Sequence, residues 1–217
     1  MQTLTEKVFH LSPPGGIFNE TVVRNLFPDR SEGSRKVLVH RASAKGEIIR
    51  LKPGLFLLGP EYRKTHPHPF VIAALLHSPS HVSLESAFSY HGLIPEAVYQ
   101  VTSVTSARSR RFDTPAGVFT FQRVPAAHPR AGVNAVKISN QSLAFIATPL
   151  RTIADLIYLQ KQISWEKDGL AFLTESMRIE WEDLHTIPFD SIHEICKSLR
   201  DKRTKRYLTE IYRELNR

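Results

Sequence analysis

The stretch Ser34–Leu58, SRKVLVHRASAKGEIIRLKPGLFLL, decides how the chain is read. On a helical wheel of about 100° per residue, Leu38 and Ala42 point one way and Lys36, His40 and Ser43 the other. Arg35, Arg41 and Lys45 fall on the flanks of that apolar stripe, where long stems carry their charges outward. Ser34 suits the cap at the start of this helix and Gly46 the stop at its end. Beyond it, Ile48, Ile49 and Leu51 are joined to Leu55–Leu58 by Lys52-Pro53-Gly54, and Pro then Gly fits the centre of a type II turn. A period of two sets Arg50 and Lys52 on one strand face, opposite Ile49 and Leu51. Six bases and one acid, Glu47, lie between Ser34 and Lys52. A basic helix followed by a basic hairpin has the form of a recognition helix and a wing. It predicts a winged helix-turn-helix, with the helix in the major groove of duplex DNA and the hairpin beside a phosphate backbone. In that docking Lys36, His40 and Ser43 face base edges, while Arg35, Arg41, Lys45, Arg50 and Lys52 contact phosphates. A small α+β core with an incidentally basic surface is the plainer alternative.

Upstream, Pro13-Pro14-Gly15-Gly16 is a breaker cluster, and residues 1–16 read as a partly loose arm closed by it. Asn19 caps a helix over Glu20–Phe27, Phe18 can staple onto Val23, and Pro28 prevents continuation. Val22, Val23, Leu26 and Phe27 form its packing face. Downstream, Gly59-Pro60 opens a polar, proline-containing boundary that runs to Pro69. It divides the chain into residues 1–62, the DNA-binding unit, and residues 66–217. The His66-Pro67-His68 pair has no third ligand nearby and reads as solvated linker.

The second unit opens with an apolar helix over Phe70–His77. His77 and His81 stand four apart, a zinc-ligand spacing on a helix, but Pro79 breaks that turn. Ser83 can cap a further helix that carries Glu85 in its first turn and ends at Gly92. That helix accounts for the Ser, Glu and His91 of the segment without a hydrolase. The period then changes to two. Val98–Ser106, Gly117–Val124, Val133–Ser139 and Ser142–Ala147 read as an antiparallel meander, with Arg108-Ser-Arg-Arg111 and Asn140-Gln141 as turns. Arg108, Arg110 and Arg111 form either a solvated loop or a contact for phosphate or an acidic partner. Pro149 starts a helix whose Ile153, Ala154, Leu156, Ile157 and Leu159 pack on the sheet. From Asp155 to Asp190 eight acids face three bases, and from Lys197 to Arg217 eight bases face three acids. Helices with complementary faces explain both runs. The fold class is α+β: a winged helix-turn-helix followed by a larger unit with an antiparallel sheet packed by helices.

The 217 residues carry a formal charge of +8, which favours an anionic partner. A single cysteine, Cys196, excludes an internal disulfide and any multi-cysteine zinc site. No apolar run approaches the roughly 18 residues of a membrane helix, and the N-terminus lacks a basic n-region. A cytoplasmic protein without membrane contact is expected, with no catalytic residue, metal or cofactor. The nearest approach to a nuclease's carboxylates and lysine, Glu166-Lys167-Asp168, sits at a helix start rather than on strands.

Three segments carry a family resemblance: LKPGLFLL at the hairpin, HVSLESAFSYHGLIPE after the boundary, and ATPLRTIADLIYL late in the chain. Together, over about residues 17–160, they resemble the AbiEi-type antitoxins of bacterial toxin–antitoxin systems, with Ser83–Leu93 the most specific part. The resemblance implies an N-terminal winged helix that binds inverted repeats of double-stranded operator DNA in its own promoter and represses transcription. It implies a nucleotidyltransferase-like toxin encoded alongside, counteracted by the C-terminal unit. A monomer that pairs on the repeats fits this picture. A plain regulator without a toxin partner and a DNA nuclease stand as the alternatives. The last fifty or so residues match none of the family's motifs.

Overall fold

The computed structural model describes residues 3–96, 98–139 and 142–216. It opens in the order α1 (Leu4–Leu11), β1 (Ile17–Asn19), α2 (Glu20–Leu26), α3 (Glu32–Ala44), β2 (Ile48–Lys52) and β3 (Leu55–Leu58). The expected loose arm is instead the helix α1. Thr3 and Glu6 cap it reciprocally, and Leu4, Thr5 and Val8 are buried. α2 begins at Asn19, whose side chain accepts from the Val22 amide at 3.1 Å, and Phe18 and Val23 share one core. α3 starts earlier than expected. Ser31 is its cap, accepting from the Ser34 amide, so Ser34 lies within the first turn. Two serines three residues apart offer the same capping chemistry, and only the fold chooses between them. The helix stops before Gly46, and Gly54 turns the hairpin at φ 77°, a conformation costly to an L side chain.

β3 lies between β1 and β2 in an antiparallel sheet, and its two faces serve two different cores. Ile48, Phe56 and Leu58 join Val8, Phe18, Val23 and Ala42. On the other face Leu51, Leu55 and Leu57, with Ile17 of β1, join Ile72, Ala73, Leu76, Phe119, Phe121 and Ile146 from later in the chain. In the connecting stretch His66 and His68 are exposed, as expected, and the latter has a local role as well. His68 caps the next helix, its Nδ1 accepting from the Phe70 amide at 3.2 Å.

The chain continues through α4 (Pro69–Leu76), β4 (Ser80–Val82), α5 (Leu84–Tyr90), β5 (Val101–Thr105), β6 (Arg110–Thr114), β7 (Gly117–Arg123), β8 (Val133–Ser139) and β9 (Ser142–Ala147). These strands form one sheet in the order β6-β7-β5-β4-β9-β8. It is mixed, which corrects the expected antiparallel meander: β5 pairs with β7 and β4 with β9 in parallel. Two features produce the difference. β4 is only three residues long, too short for a period of two to show, yet it sits between β5 and β9. Arg110 and Arg111, expected in a turn, belong to the edge strand β6, so β7 returns between β6 and β5. The expected turn at Asn140-Gln141 lies outside the described residues.

α6 (Pro149–Leu159) packs beneath the sheet, capped by Thr148. α7 (Trp165–Asp168), a π turn (Phe172–Ser176), α8 (Trp181–His185), α9 (Ile192–Ser198) and α10 (Lys202–Leu215) follow. One exposed ion pair joins the acidic run to the basic C-terminal helix, Arg206 on Glu166 at 2.6 Å. Arg203 closes the end of α6 by donating to the carbonyls of Ile157 at 2.7 Å and Gln160 at 3.2 Å, and to that of Ile163.

Arg151 and Asp155, one turn apart on α6, are fully buried. Arg151 Nε donates to Asp155 Oδ1 at 2.9 Å, and Nη1 to the Ala131 carbonyl at 2.8 Å. The other carboxylate oxygen meets His81 Nε2 at 3.0 Å and accepts from Ser83 Oγ at 2.9 Å. Burial lowers the His81 pKa against the raising effect of the Asp155 carboxylate, and the charges of Arg151 and Arg130 add to the lowering. The imidazole is therefore neutral and donates to Asp155. Burial alone would raise the Asp155 pKa, but the charge of Arg151 and the His81 hydrogen bond hold it below the usual value. Gly132 is what lets the chain pass so close: a Cβ there would lie 2.8 Å from Arg151 Cβ and 2.6 Å from Ile195 Cδ1.

Removing one partner leaves a buried charge uncompensated. Asp155→Asn is expected to destabilise the protein by about 3–5 kcal/mol, measured by chemical denaturation. The unfolded chain takes up a proton on His81 near pH 6.5, which the folded chain refuses. Stability should therefore be level above that pH and decline as pH falls below it. His81→Gln, which keeps an N–H donor, should flatten this decline.

Candidate nucleic-acid interface

Helix α3 and strand β2 bring part of the expected basic set together. Arg35, Lys36, His40 and Ser43 of α3 and Arg50 of β2 line one groove. Val23, Val39 and Phe56 form its apolar lining, and Glu20 and Glu32 are its two carboxylates. The groove follows from the packing. Ala42 turns inward and is 5% exposed, Leu38 and Val39 are partly buried, and the opposite side of α3 faces out. Arg24 of α2 lines the same groove and belongs with the set. The signal for it was present: with Val22, Val23, Leu26 and Phe27 inward, Arg24 takes the outward side of its wheel.

The cations differ in what already holds them. Arg24, His40, Arg41 and Arg50 are exposed and make no side-chain hydrogen bond or ion pair among the described residues. Lys36 pairs with Glu32 at 2.5 Å, one turn away, with both side chains about 70% exposed. Such a surface pair contributes little and a stronger anion displaces it. Lys45 stands 3.8 Å from Glu47, whose other oxygen accepts from Thr5 Oγ1 at 2.6 Å.

Two members of the expected phosphate set are engaged inside the protein. Arg35 Nη1 donates to the carbonyls of Phe27, at 3.4 Å, and Arg30, tying down the turn between α2 and α3. Lys52 Nζ donates to the carbonyls of Leu75 and Leu76, each at 2.7 Å, at the end of α4. The expectation that Lys52 shares a face with Arg50 fails because the register slips between them. Arg50 pairs with Phe56 and Lys52 with Leu55, so Leu51 is an extra residue on β2. That bulge turns Lys52 toward α4. Desolvation, and then the charge of Arg110 nearby, lower the Lys52 pKa.

The second arginine cluster is also split. Arg108 and Arg110 are exposed, and His77 Nε2 meets the Arg108 carbonyl at 3.0 Å. Arg111 is held by Asp113 through contacts of 2.9 to 3.1 Å. Residues weighed for catalysis do not converge. Ser83 serves Asp155, His91 Nε2 meets the Ala147 carbonyl at 2.8 Å, and Glu166 and Asp168 are occupied by Arg206 and the Ser164 amide. Among the described residues no group of three or more His, Cys, Asp or Glu is placed to hold a metal ion. No helix among them is long and apolar enough to cross a membrane. No protein-family model matches the chain, and no curated protein matches it.

The two kinds of arginine separate in a stability measurement. Arg35→Met should lower stability by about 1–2 kcal/mol, because two carbonyls lose a charged donor. Arg50→Met should change it by less than about 0.5 kcal/mol. Both are read from thermal denaturation midpoints converted with the unfolding enthalpy.

Proposed function

We propose that this chain is a winged-helix DNA-binding repressor that acts in the cytoplasm, and the antitoxin of a toxin–antitoxin pair. The observation that carries the DNA-binding part is one groove in which α3 and β2 present Lys36, His40 and Arg50, joined by Arg24. The order α1-β1-α2-α3-β2-β3, with β3 central in its sheet, supports it, because it places a helix and a hairpin side by side as groove and backbone contacts require. Lys36, His40 and Ser43 face base edges. Arg24, Arg41, Lys45 and Arg50 neutralise phosphates, with Arg108 and Arg110 as outlying contacts. Lys52 leaves the phosphate set, since protein carbonyls already hold its ammonium, whereas Arg35 lines the groove with only its Nη1 on carbonyls and stays in it.

The antitoxin part rests on the resemblance of the Ser83–Leu93 and Ala147–Leu159 segments. Growth rescue tests it: expression of the full chain restores growth to cells making a nucleotidyltransferase-like protein encoded beside it, and failure to do so leaves a plain regulator.

Binding to a duplex from the chain's own upstream region should exceed binding to a scrambled duplex of equal length and fall steeply with salt, measured by fluorescence anisotropy. Equal affinity for the two duplexes sinks the specific-repressor reading. Arg50→Ala should weaken both duplexes alike and reduce the salt slope by about one, whereas His40→Ala should narrow the gap between them.

A further inference from the structure

We infer that Lys52 is a positioning residue: its ammonium latches the β2–β3 hairpin to the end of α4, and through that latch the 66–216 region sets where the DNA-contacting groove stands. The inference rests on the DNA-binding reading for its functional consequence, but the latch itself is a matter of geometry. The carbonyls at the last turn of a helix lack intrahelical donors, and a cation there is favoured by the helix dipole as well. Leu75 and Leu76 supply two such carbonyls, and Lys52 Nζ reaches both. The bulge at Leu51 is what aims it there, against the alternation that would have set Lys52 beside Arg50.

The apolar side of the hairpin agrees. Leu51, Leu55 and Leu57 are buried against Ile72, Ala73 and Leu76 of α4 and Phe119 and Phe121 of β7. A hairpin held along one face and at its tip cannot swing. Arg50, two residues before the latch, lines the groove together with residues of α3. Arg110, close enough to Lys52 to lower its proton affinity, marks the contact between β2 and the edge strand β6. A change in the later region that moves the end of α4 therefore moves one wall of the groove.

The test uses the full chain with Lys52→Met, which keeps the stem and removes the donors, and Lys52→Arg, which keeps donors. Amide hydrogen exchange is followed without DNA, and affinity for the upstream duplex is measured across salt concentrations. For K52M, exchange over residues 48–58 and at the end of α4 should rise about tenfold, a charged hydrogen bond's worth. Its affinity for the specific duplex should drop with the salt slope unchanged, and K52R should recover both. A salt slope lower by about one with unchanged exchange would show Lys52 to be a phosphate contact and overturn the latch. Unchanged exchange with unchanged binding overturns it too. If wild-type protein binds no duplex, the DNA reading fails while the exchange arm still decides the latch. Should K52M not fold, K52Q, with one remaining donor pair, replaces it, and intermediate exchange is then the supporting result.

Discussion

The fold depends on one buried carboxylate. Asp155 accepts from an arginine on its own helix, from a histidine on β4 and from a serine at the start of α5, while that arginine reaches the Ala131 carbonyl. A charge so deep survives only with its partners complete. Its presence therefore specifies which strand lies over α6 and in what register. An apolar residue at 155 would make no directional bond and would not distinguish β4 from a neighbour.

The strain nearby is consistent with that role. Leu84 is buried with φ 58°, a conformation unusual for a bulky residue, and it follows Ser83 directly. Ser83 does not cap α5, because its hydroxyl is committed to Asp155. Thr102 of β5 takes over, accepting from the Ser86 amide at 3.0 Å while its own amide donates to Ser86 Oγ at 2.8 Å. The helix is capped from across the sheet, which ties α5 to β5 and leaves Ser83 free for the core.

Much of this was legible in the residues and some could not be. Asn19 as a cap, Gly46 as a stop, the Pro53-Gly54 turn, and the helix beginning at Pro149 are local signals that needed no partner, and each stands where expected. What escaped depends on distant contacts. Arg151 and Asp155 look like one more i, i+4 pair until His81, 74 residues away, is brought against them. β4 has three residues and no pattern of its own. The bulge at Leu51 brings Lys52 to the carbonyls at the end of α4, contacts that no window around Lys52 contains. The bond from Arg35 to the Phe27 carbonyl escaped for the same reason, since nothing in the wheel of α3 brings that carbonyl within reach of its inner-flank stem.

The sharing of one core between the hairpin and the later strands has a temporal side. Leu51, Leu55 and Leu57 leave the ribosome roughly ninety residues before Ile146, and His81 long before Asp155. Until β9 and α6 are made, the core behind the hairpin lacks Ala144, Ile146 and Ala147, and the centre of the second sheet lacks its neighbour strand. Contacts of such long sequence separation form slowly and leave strand edges exposed meanwhile. A nascent chain halted anywhere between β5 and β9 carries an uncovered sheet, so the interval of synthesis is when this protein is most open to proteases and to self-association.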